Sequence, residues 1–316
     1  MTQRLLLISP VHNEEAYLEL VAEAVERQTC PPALWVVVDD GSTDGTSEIL
    51  ARLAERIDFL KVVNAAETAG VSPQRPAKDR LATAAAPRTF NLGLNSVAWQ
   101  SFDYIAKLDG DTELPPDYFE RLLAEFERDP ELGLAGGLYA DPDPHGHGEG
   151  WRVVRIPTAH HVPGTLKCYS LACLEAIGGI QERLGWDTID ETYARMRGFR
   201  TRAFPDLIAR HHRPWGSADG TLRGRARHGQ CAYIVHFTLP WVTLRAFKLA
   251  RTRPRGLSGI AFLYGYLRSA VRRVARVEDP VFSKFVRREL RTRARGELAR
   301  RLPRGRSTFS AAAHES

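Results

Sequence analysis

Three clusters of carboxylates carry the chemistry open to this sequence. The first is VDDGSTDGT, residues 38–46. Asp39 and Asp40 end an apolar run and precede a Gly-containing turn, where a carboxylate can accept a hydrogen bond from a nucleobase N–H. Asp44 can equally cap the helix that follows. The second is KLDGDTEL, residues 107–114. Asp109 and Asp111 flank one residue, so both can project toward one side and share a hard divalent cation. Mn2+ or Mg2+ would take the carboxylate oxygens and draw in diphosphate oxygens as further ligands. The third is WDTIDE, residues 186–191, where Asp187, Asp190 and Glu191 stand at an expected helix start. Acids there complement the helix dipole or supply a general base, with Trp186 as a stacking platform for a sugar acceptor.

Strand ends and helix starts must position these clusters. Residues 4–9 form a short apolar run, and the polar PVHNEE segment stops it. Over 14–28, Leu18, Val21, Ala22 and Val25 recur at helical spacing. Leu34 to Val38 is a continuous apolar run, as expected of a strand buried on both faces. A helix over 46–57 and a strand over 60–63 follow, then a loop over 65–89 and a helix over 90–99. The pattern continues with a strand over 104–108, a helix over 117–126 opened by Pro115 and Pro116, a strand over 133–140 and a turn over 141–150. This rhythm predicts an α/β fold with a Rossmann-like, mostly parallel sheet flanked by helices. Ligands of such sheets bind at the carboxyl ends of the strands. Residues 151–240 are mixed and do not read as a separate domain, and the remainder is helical and basic.

Composition narrows the function classes. In 316 residues, 43% are hydrophobic and 26% charged, which excludes wholesale disorder. The four cysteines (30, 168, 173 and 231) include no CxxC pair, so a disulfide scaffold or structural zinc is not expected, and a reducing, cytoplasmic compartment is. Cys168 and Cys173 read as core. The run Leu5 to Ile8 is too short for a signal-peptide core, and no apolar stretch reaches membrane-spanning length. Charge is uneven: residues 245–316 hold 19 basic and 5 acidic side chains, net +14, whereas residues 1–244 are net −8. Helical projection of 257–276 gathers Ile260, Leu263, Tyr264, Leu267, Val271 and Val274 on one arc, and Arg268, Arg272, Arg273 and Arg276 on another. A basic amphipathic helix of this kind suits an anionic membrane surface; packing of the same helix on the body is the competing expectation. RNA binding is disfavoured, since no interleaved aromatic motif accompanies the arginines.

The order and spacing of PVHNEE (10–15), VDDGSTDGT, NLGL (91–94), KLDGD (107–111), GG (178–179) and WDTIDE resemble a family 2 glycosyltransferase with the GT-A fold, over roughly residues 4–215. The resemblance implies an inverting enzyme that moves a sugar from a UDP-, GDP- or dTDP-linked donor to a hydroxyl acceptor. A lipid-linked or cell-envelope glycan at the inner membrane face, and a divalent metal, belong to the same expectation. It implies direct metal contact for Asp111, and ribose or metal-bound water for Asp109. It implies base recognition by Asp40, with Asp39 close behind, and a nucleotide cleft lined by Pro10, Val11 and Glu14. It implies a further metal ligand in His211 or His212, with His212 preferred. Arg213, Arg223, Arg225 and Arg227, with Lys78 and Arg88, are phosphate-contact candidates. The family's Glu-Asp pair is replaced here by Trp186 and Asp187. Asp187 aligns with the general base, and Asp190 and Glu191 are the alternatives. The expected organisation is a catalytic domain over 1–230, a basic helical region over 231–306 and a disordered tail over 307–316. A GT-A nucleotide-binding scaffold without catalysis is the alternative function.

Overall fold

Two apolar runs seed the central sheet. Leu5–Val11 (β1) and Leu34–Asp39 (β2) pair in parallel, Leu6 opposite Leu34 through Val11 opposite Asp39. Leu5 to Ile8 and Trp35 to Val38 are almost wholly buried, each such side chain contributing about 1.5–3 kcal/mol. The Trp35 indole N–H donates to Ser9 Oγ at 3.0 Å, so its polar end is satisfied within the core. The computed structural model describes residues 3–68, 84–143, 150–156, 158–213 and 220–301, with side chains through 295.

Between and after these strands come α1 (Leu18–Glu26), α2 (Thr46–Arg56), β3 (Leu60–Asn64), α3 (Ala65–Thr68), α4 (Ala85–Asn95), β4 (Tyr104–Leu108), β5 (Thr112–Glu113) and α5 (Tyr118–Arg128). The chain continues through β6 (Leu132–Pro142), β7 (Trp151–Val153), β8 (Leu166–Ser170), α6 (Leu171–Ile177), α7 (Trp186–Met196) and β9 (Arg200–His211). It ends in α8 (Thr221–Ile234), α9 (Leu239–Leu249), α10 (Leu257–Val271) and α11 (Pro280–Arg301). The described strands form one sheet in the order β3-β2-β1-β4-β8-β6-β9-β5, with β7 paired to β6. β3, β2, β1 and β4 are parallel, and β8 lies antiparallel between β4 and β6. Strand order reverses at β1, whose neighbours are β2 and β4. The expected α/β architecture is therefore present, with antiparallel strands on the side away from β3.

The two faces of the sheet carry separate cores. One is closed by α1, α2 and α5, the other by α4 and α6. Gly93 of the NLGL segment lets α4 lie directly on the sheet, since a Cβ there would stand 2.7 Å from Val38 Cγ2 and 2.9 Å from Ile8 Cγ2. Residues 85–89, expected as the end of a loop, open α4. Pro87 lies in the first turn, where its missing N–H would have had no intrahelical partner. The chain leaves α4 at Asn95, and a 3₁₀ turn spans Trp99–Ser101 where the helix was expected to end. Residues 14–17, expected as helix, are a turn at the strand end instead.

A third cluster joins Ile189 of α7 to Ile234, Val277, Phe282, Val286 and Leu290, and so ties α8 and α11 to the body. A fourth packs α8, α9 and α10 through Ala232, Val242, Phe262 and Tyr266. The expected boundary at 230/231 lies inside α8. Residues 144–149, most of the expected 141–150 turn, Lys78 and the 307–316 tail lie outside the described residues.

Candidate active site

The carboxyl ends of β1, β2 and β4 meet at the point where strand order reverses, which is where an open α/β sheet leaves a crevice. Two loops are laced together there. Asn13 N–H donates to Ser42 Oγ at 3.0 Å, Thr43 N–H to Asn13 Oδ1 at 2.8 Å, Glu14 N–H to Thr46 Oγ1 at 2.8 Å and Gly45 N–H to Glu15 Oε2 at 2.7 Å. Asp39 is 5% exposed and fully engaged: it accepts from Ser42 N–H and Oγ and from Ser47 Oγ, at 2.7 to 2.9 Å. Asp39 thus shapes the turn. Asp40 is half-buried, its N–H donating to the Val11 carbonyl and its own carbonyl lying 2.9 Å from His12 Nδ1. Asp44 accepts from Thr46 N–H at 3.1 Å and holds the start of α2. Pro10 and Val11 face Val38 and Asp39 across the strand pair.

Asp109 and Asp111 extend from β4. Gly110 between them is wedged against the first loop, for a Cβ there would lie 2.9 Å from Val11 Cγ1 and 3.0 Å from Glu14 Cγ. Asp109 pairs with the buried ammonium of Lys107, which also donates to the Gly164 carbonyl at 2.9 Å. Asp111 is 7% exposed. Its carboxylate lies 3.6 Å from His211 Nε2 and 3.9 Å from Arg213 Nε. His211 is oriented by Asp141, 2.9 Å from Nδ1. His212, the histidine preferred from sequence, turns to Glu113 at 3.0 Å and stacks on Tyr17. Successive residues at the end of β9 point to opposite faces, and here only the first faces Asp111.

Negative charge accumulates at this point. Burial, then Asp111, raises the Glu14 carboxyl to about 8, although Arg213 bonds it at 2.7 Å and acts in the other direction. Burial and Asp109 likewise raise Asp111. Carboxylates crowded beside one imidazole are a donor set that fits a hard divalent ion such as Mn2+ or Mg2+. Among the described residues, no three His, Cys, Asp or Glu side chains already converge as a metal cluster.

The third motif divides by burial. Asp190 and Glu191 are each 3% exposed and gather around Lys167. Lys167 Nζ donates to both Asp190 oxygens at 2.9 and 3.0 Å, to Glu191 Oε1 at 3.2 Å and to the Asp187 carbonyl at 2.6 Å. Tyr169 O–H donates to Asp190 at 2.5 Å, and His161 Nδ1 lies 3.1 Å from Glu191. Burial would raise Glu191, but Lys167 and His161 hold it down near 2. Asp187, one residue into α7, is the half-buried acid of the three. Burial first, then the charges of Asp141, Asp109 and Asp187 raise the Tyr139 hydroxyl, so Asp109 and Asp187 are both within its electrostatic reach. Trp186 lies over both lysines, 5.6 Å from Lys107 Nζ and 5.3 Å from Lys167 Nζ.

The arginines separate as well. Arg213 is in the crevice with Glu14 and Asp111. Arg225 lies on α8, which abuts the start of α7. Its neighbours His228 and Arg245 are within electrostatic reach of Asp187. Burial and then Arg245 lower His228 to about 4, which leaves it neutral. Arg223 and Arg227 line a different space between α8 and α10. Arg88 is exposed on α4. Cys168 and Cys173 are buried core thiols, and burial pushes Cys173 up to about 12.

Residues 7–77 match the sequence family described as Glycosyl transferase family 2. The same geometry of a crevice at the β1 switch point with a DxD at a strand end accompanies that match. Over residues 7–77 the chain is similar to glycosyltransferase family 2. Among curated proteins, it is 30% identical over 163 residues to the polyprenol monophosphomannose synthase of Mycolicibacterium smegmatis, covering 50% of this chain and 54% of that protein. It is 31% identical over 133 residues to glycosyltransferase GlyA of Streptococcus pneumoniae, covering 41% of this chain and 16% of that protein. The chain thus spans about half or less of the length of these curated relatives. Among solved structures, the mannosyltransferase PcManGT of Pyrobaculum calidifontis, in complex with GDP-Man and Mn2+, aligns with a TM-score of 0.52. Its identity is 20%, covering 94% of this chain and 81% of that one. TarS 1–349 of S. aureus in complex with UDP-GlcNAc aligns with a TM-score of 0.51 at 16% identity, covering 87% and 74%. These likenesses show the GT-A fold.

Three residues at the site lay in no motif, and a fourth, Lys107, lay in KLDGD without a role of its own. Lys107 and Lys167 interrupt apolar strands, and a lysine inside a buried strand is the signal that it has a carboxylate partner. Asp141 and His161 lie in segments without period, so nothing local marked them.

Proposed function

We propose that this chain is an inverting glycosyltransferase that moves a sugar from a nucleoside-diphosphate donor to a hydroxyl of a lipid-linked or cell-envelope glycan. The observation that carries the reading is the crevice with Glu14, Asp40, Asp109 and Asp111 at the strand ends, joined to Asp187 through Gly164, whose Cβ position lies 3.6 Å from Asp187 Cβ and whose carbonyl accepts from Lys107, the partner of Asp109. In this reading Asp40 accepts from the nucleobase, and Pro10 and Val11 line the cleft. Asp111, Asp109 and His211 would hold Mn2+ or Mg2+. When bound, such an ion stabilises the negative charge of a diphosphate leaving group. Arg213, held by Glu14, adds a fixed guanidinium on the same side. Asp187 takes the proton of the acceptor hydroxyl, whose oxygen forms the bond to the anomeric carbon as the bond to the diphosphate oxygen breaks. Asp190 and Glu191 hold the start of α7 through Lys167 and so position Asp187. A mannosyl donor is favoured within this reading by the name of the M. smegmatis relative, which is a polyprenol monophosphomannose synthase.

The acceptor side follows from the C-terminal helices. Part of the apolar arc is left exposed: Ile260 is 65% and Val271 83% exposed, and Tyr264, Leu267 and the neighbouring Leu257 join them, whereas Leu263 and Val274 pack inward. Among the described residues no helix is long and apolar enough to cross a membrane. An exposed apolar stripe within a +14 region suits the interface of an anionic bilayer.

The test is a panel of UDP-, GDP- and dTDP-sugars with Mn2+, read as donor binding and as release of nucleoside diphosphate. Donor binding without sugar transfer to any polyprenyl phosphate, lipid-linked or glycan acceptor would favour the scaffold reading. Asp40→Ala is expected to weaken binding of the free nucleoside; an unchanged affinity removes base recognition from that residue.

A further inference from the structure

α11 packs on α7. Asp279 caps its start, accepting from Val281 N–H at 2.8 Å and Phe282 N–H at 3.1 Å, and the Tyr193 hydroxyl of α7 donates to the same carboxylate at 3.2 Å. Phe282, Val286 and Leu290 recur at helical spacing and are buried in one cluster with Ile189 of α7. Glu289, one residue before Leu290, lies at the edge of this contact, its side chain 23% exposed. There it takes the guanidinium of Arg195 side-on, Arg195 Nε donating to Oε1 at 2.7 Å and Nη2 to Oε2 at 3.1 Å. The planar fork of arginine fits a carboxylate in this way. Arg293 stands 3.7 Å from Oε2, so Glu289 is shared by two arginines.

Arg195 is shared in turn. Its side chain is 14% exposed, and Nη1 donates to Thr201 Oγ1 at 3.1 Å while standing 3.9 Å from Glu191 Oε2. The His161 ring reaches the same Glu191 oxygen, Nδ1 at 3.2 Å, whereas Oε1 accepts from Val162 N–H at 2.8 Å and from Lys167 at 3.2 Å. Lys167 also donates to the Asp187 carbonyl at 2.6 Å, which holds the first turn of α7. One line of contacts thus runs from Glu289 through Arg195, Glu191 and Lys167 to Asp187. Neutralising Glu289 would leave Arg195 and Arg293 repelling each other, and a mostly buried guanidinium then needs another carboxylate. Glu191 is the one at hand, and closing the gap to it would draw it off His161 and Lys167.

We propose that Glu289 is a positioning residue for Asp187: by holding Arg195, it leaves Glu191 to Lys167 and so keeps the start of α7 in place. The control comes from a helix of the basic C-terminal region, Glu289 lying 94 residues beyond Arg195. This rests on the transferase reading above, with Asp187 as the base. Glu289 itself touches no reacting group.

The test compares Glu289→Gln, Arg195→Met and the double variant in the full chain. Glu289→Gln keeps an oxygen for Arg195 Nε and loses the charge. It is expected to lower sugar transfer about tenfold while donor affinity stays within about twofold, because a displaced base slows only the reaction. Arg195→Met removes the cation that would close on Glu191, so adding Glu289→Gln to it is expected to cost nothing more. The second readout is the titration of the His161 ring by NMR, which needs no transfer. His161 faces Glu191 and Asp187 from α7, Lys167 from β8 and His228 from α8. Glu289→Gln is expected to lower its midpoint by about half a pH unit as Arg195 takes a share of Glu191, and Arg195→Met is expected not to lower it. Loosening of α7 alone would move both variants the same way. Normal transfer in Glu289→Gln, a further loss in the double variant, or an unmoved His161 midpoint in Glu289→Gln overturns the proposal. A wild type that transfers no sugar counts against the transferase reading, and the His161 midpoints still decide the link from Glu289 through Arg195 to Glu191.

Discussion

Lys107 and Lys167 lie opposite each other in register across β4 and β8, and one indole, Trp186, covers both ammonium groups. Each lysine neutralises a different acidic motif. Lys107 pairs with Asp109 of the DxD, and Lys167 with Asp190 and Glu191 of α7. The pair joins two motifs eighty residues apart into one rigid unit, since a buried lysine is stable only while its carboxylates stay in place.

Lys167→Met is therefore expected to destabilise the fold by about 3–5 kcal/mol, the range for removing one partner of a buried ion pair. Asp190 would be left buried without its cation, while Glu191 keeps His161 and Arg195. Urea unfolding monitored by tryptophan fluorescence reads the loss; a change under ~1 kcal/mol would show that solvent reaches the pair.

Asp187→Asn is expected to lower sugar transfer by about 10²–10⁴-fold with donor affinity nearly intact, because the proton moves only in the reaction. Asp190→Asn should instead lower the unfolding midpoint, since Asp190 is tied to Lys167 and Tyr169. Single-turnover rates set against donor titrations separate the two. Normal turnover in Asp187→Asn with loss in Glu191→Gln moves the base deeper into α7.

Histidine identity at the end of β9 can be tested directly. His211→Gln is expected to weaken Mn2+-dependent donor binding, and His212→Gln to leave it near wild type, because only His211 faces Asp111. Asp111→Asn should abolish the Mn2+ dependence. A Mn2+ titration followed by electron paramagnetic resonance, with nucleoside diphosphate present, gives the order; the reverse order for the two histidines removes His211.

Gly110→Ala should disturb the site more than the fold. Its methyl would press on Val11 and Glu14 at 2.9 and 3.0 Å, an overpacking cost of about 1–3 kcal/mol. The aspartates on either side must shift to relieve it. Donor affinity and melting temperature are the two readouts, and unchanged donor affinity would mean that the loop yields instead.

The His161–Glu191 pair sets a pH dependence of stability. Burial alone would lower His161, but Glu191 raises it above its ordinary value. The folded protein therefore favours the protonated ring. That contribution is complete below about 6.5 and is lost as pH rises through the raised value. Comparing wild type with His161→Gln by thermal melts from acid to alkaline pH should show a difference largest at the acid end and shrinking upward. A difference that grows with pH would contradict the pairing.

Local pattern was enough to read the strands that end in motifs. A β-branched run followed by DDGSTDG, or KL followed by DGD, marks a buried strand and its exposed carboxyl end within a few residues. The α/β order, the crevice and the candidate acids were legible for that reason. Which acid stays in reach of solvent was not, because Asp187, Asp190 and Glu191 look alike in sequence, and their burial depends on Lys167 from β8, twenty residues away. Nor could sequence choose between His211 and His212; the pairing of β5 with β9 and the carboxylate of Asp141 made that choice. The C-terminal helix shows the same division most plainly. Projection identified which residues of α10 share an arc, since that depends only on the helical repeat. It could not say which arc would be covered. The backbone contact of Gly265 with Ala226 and Gly229 with Phe262 buried the face that carries Phe262, Gly265, Tyr266 and Ser269 and left Ile260, Tyr264, Leu267 and Val271 outside, because close approach of two backbones is a property of the pair of helices and of neither alone.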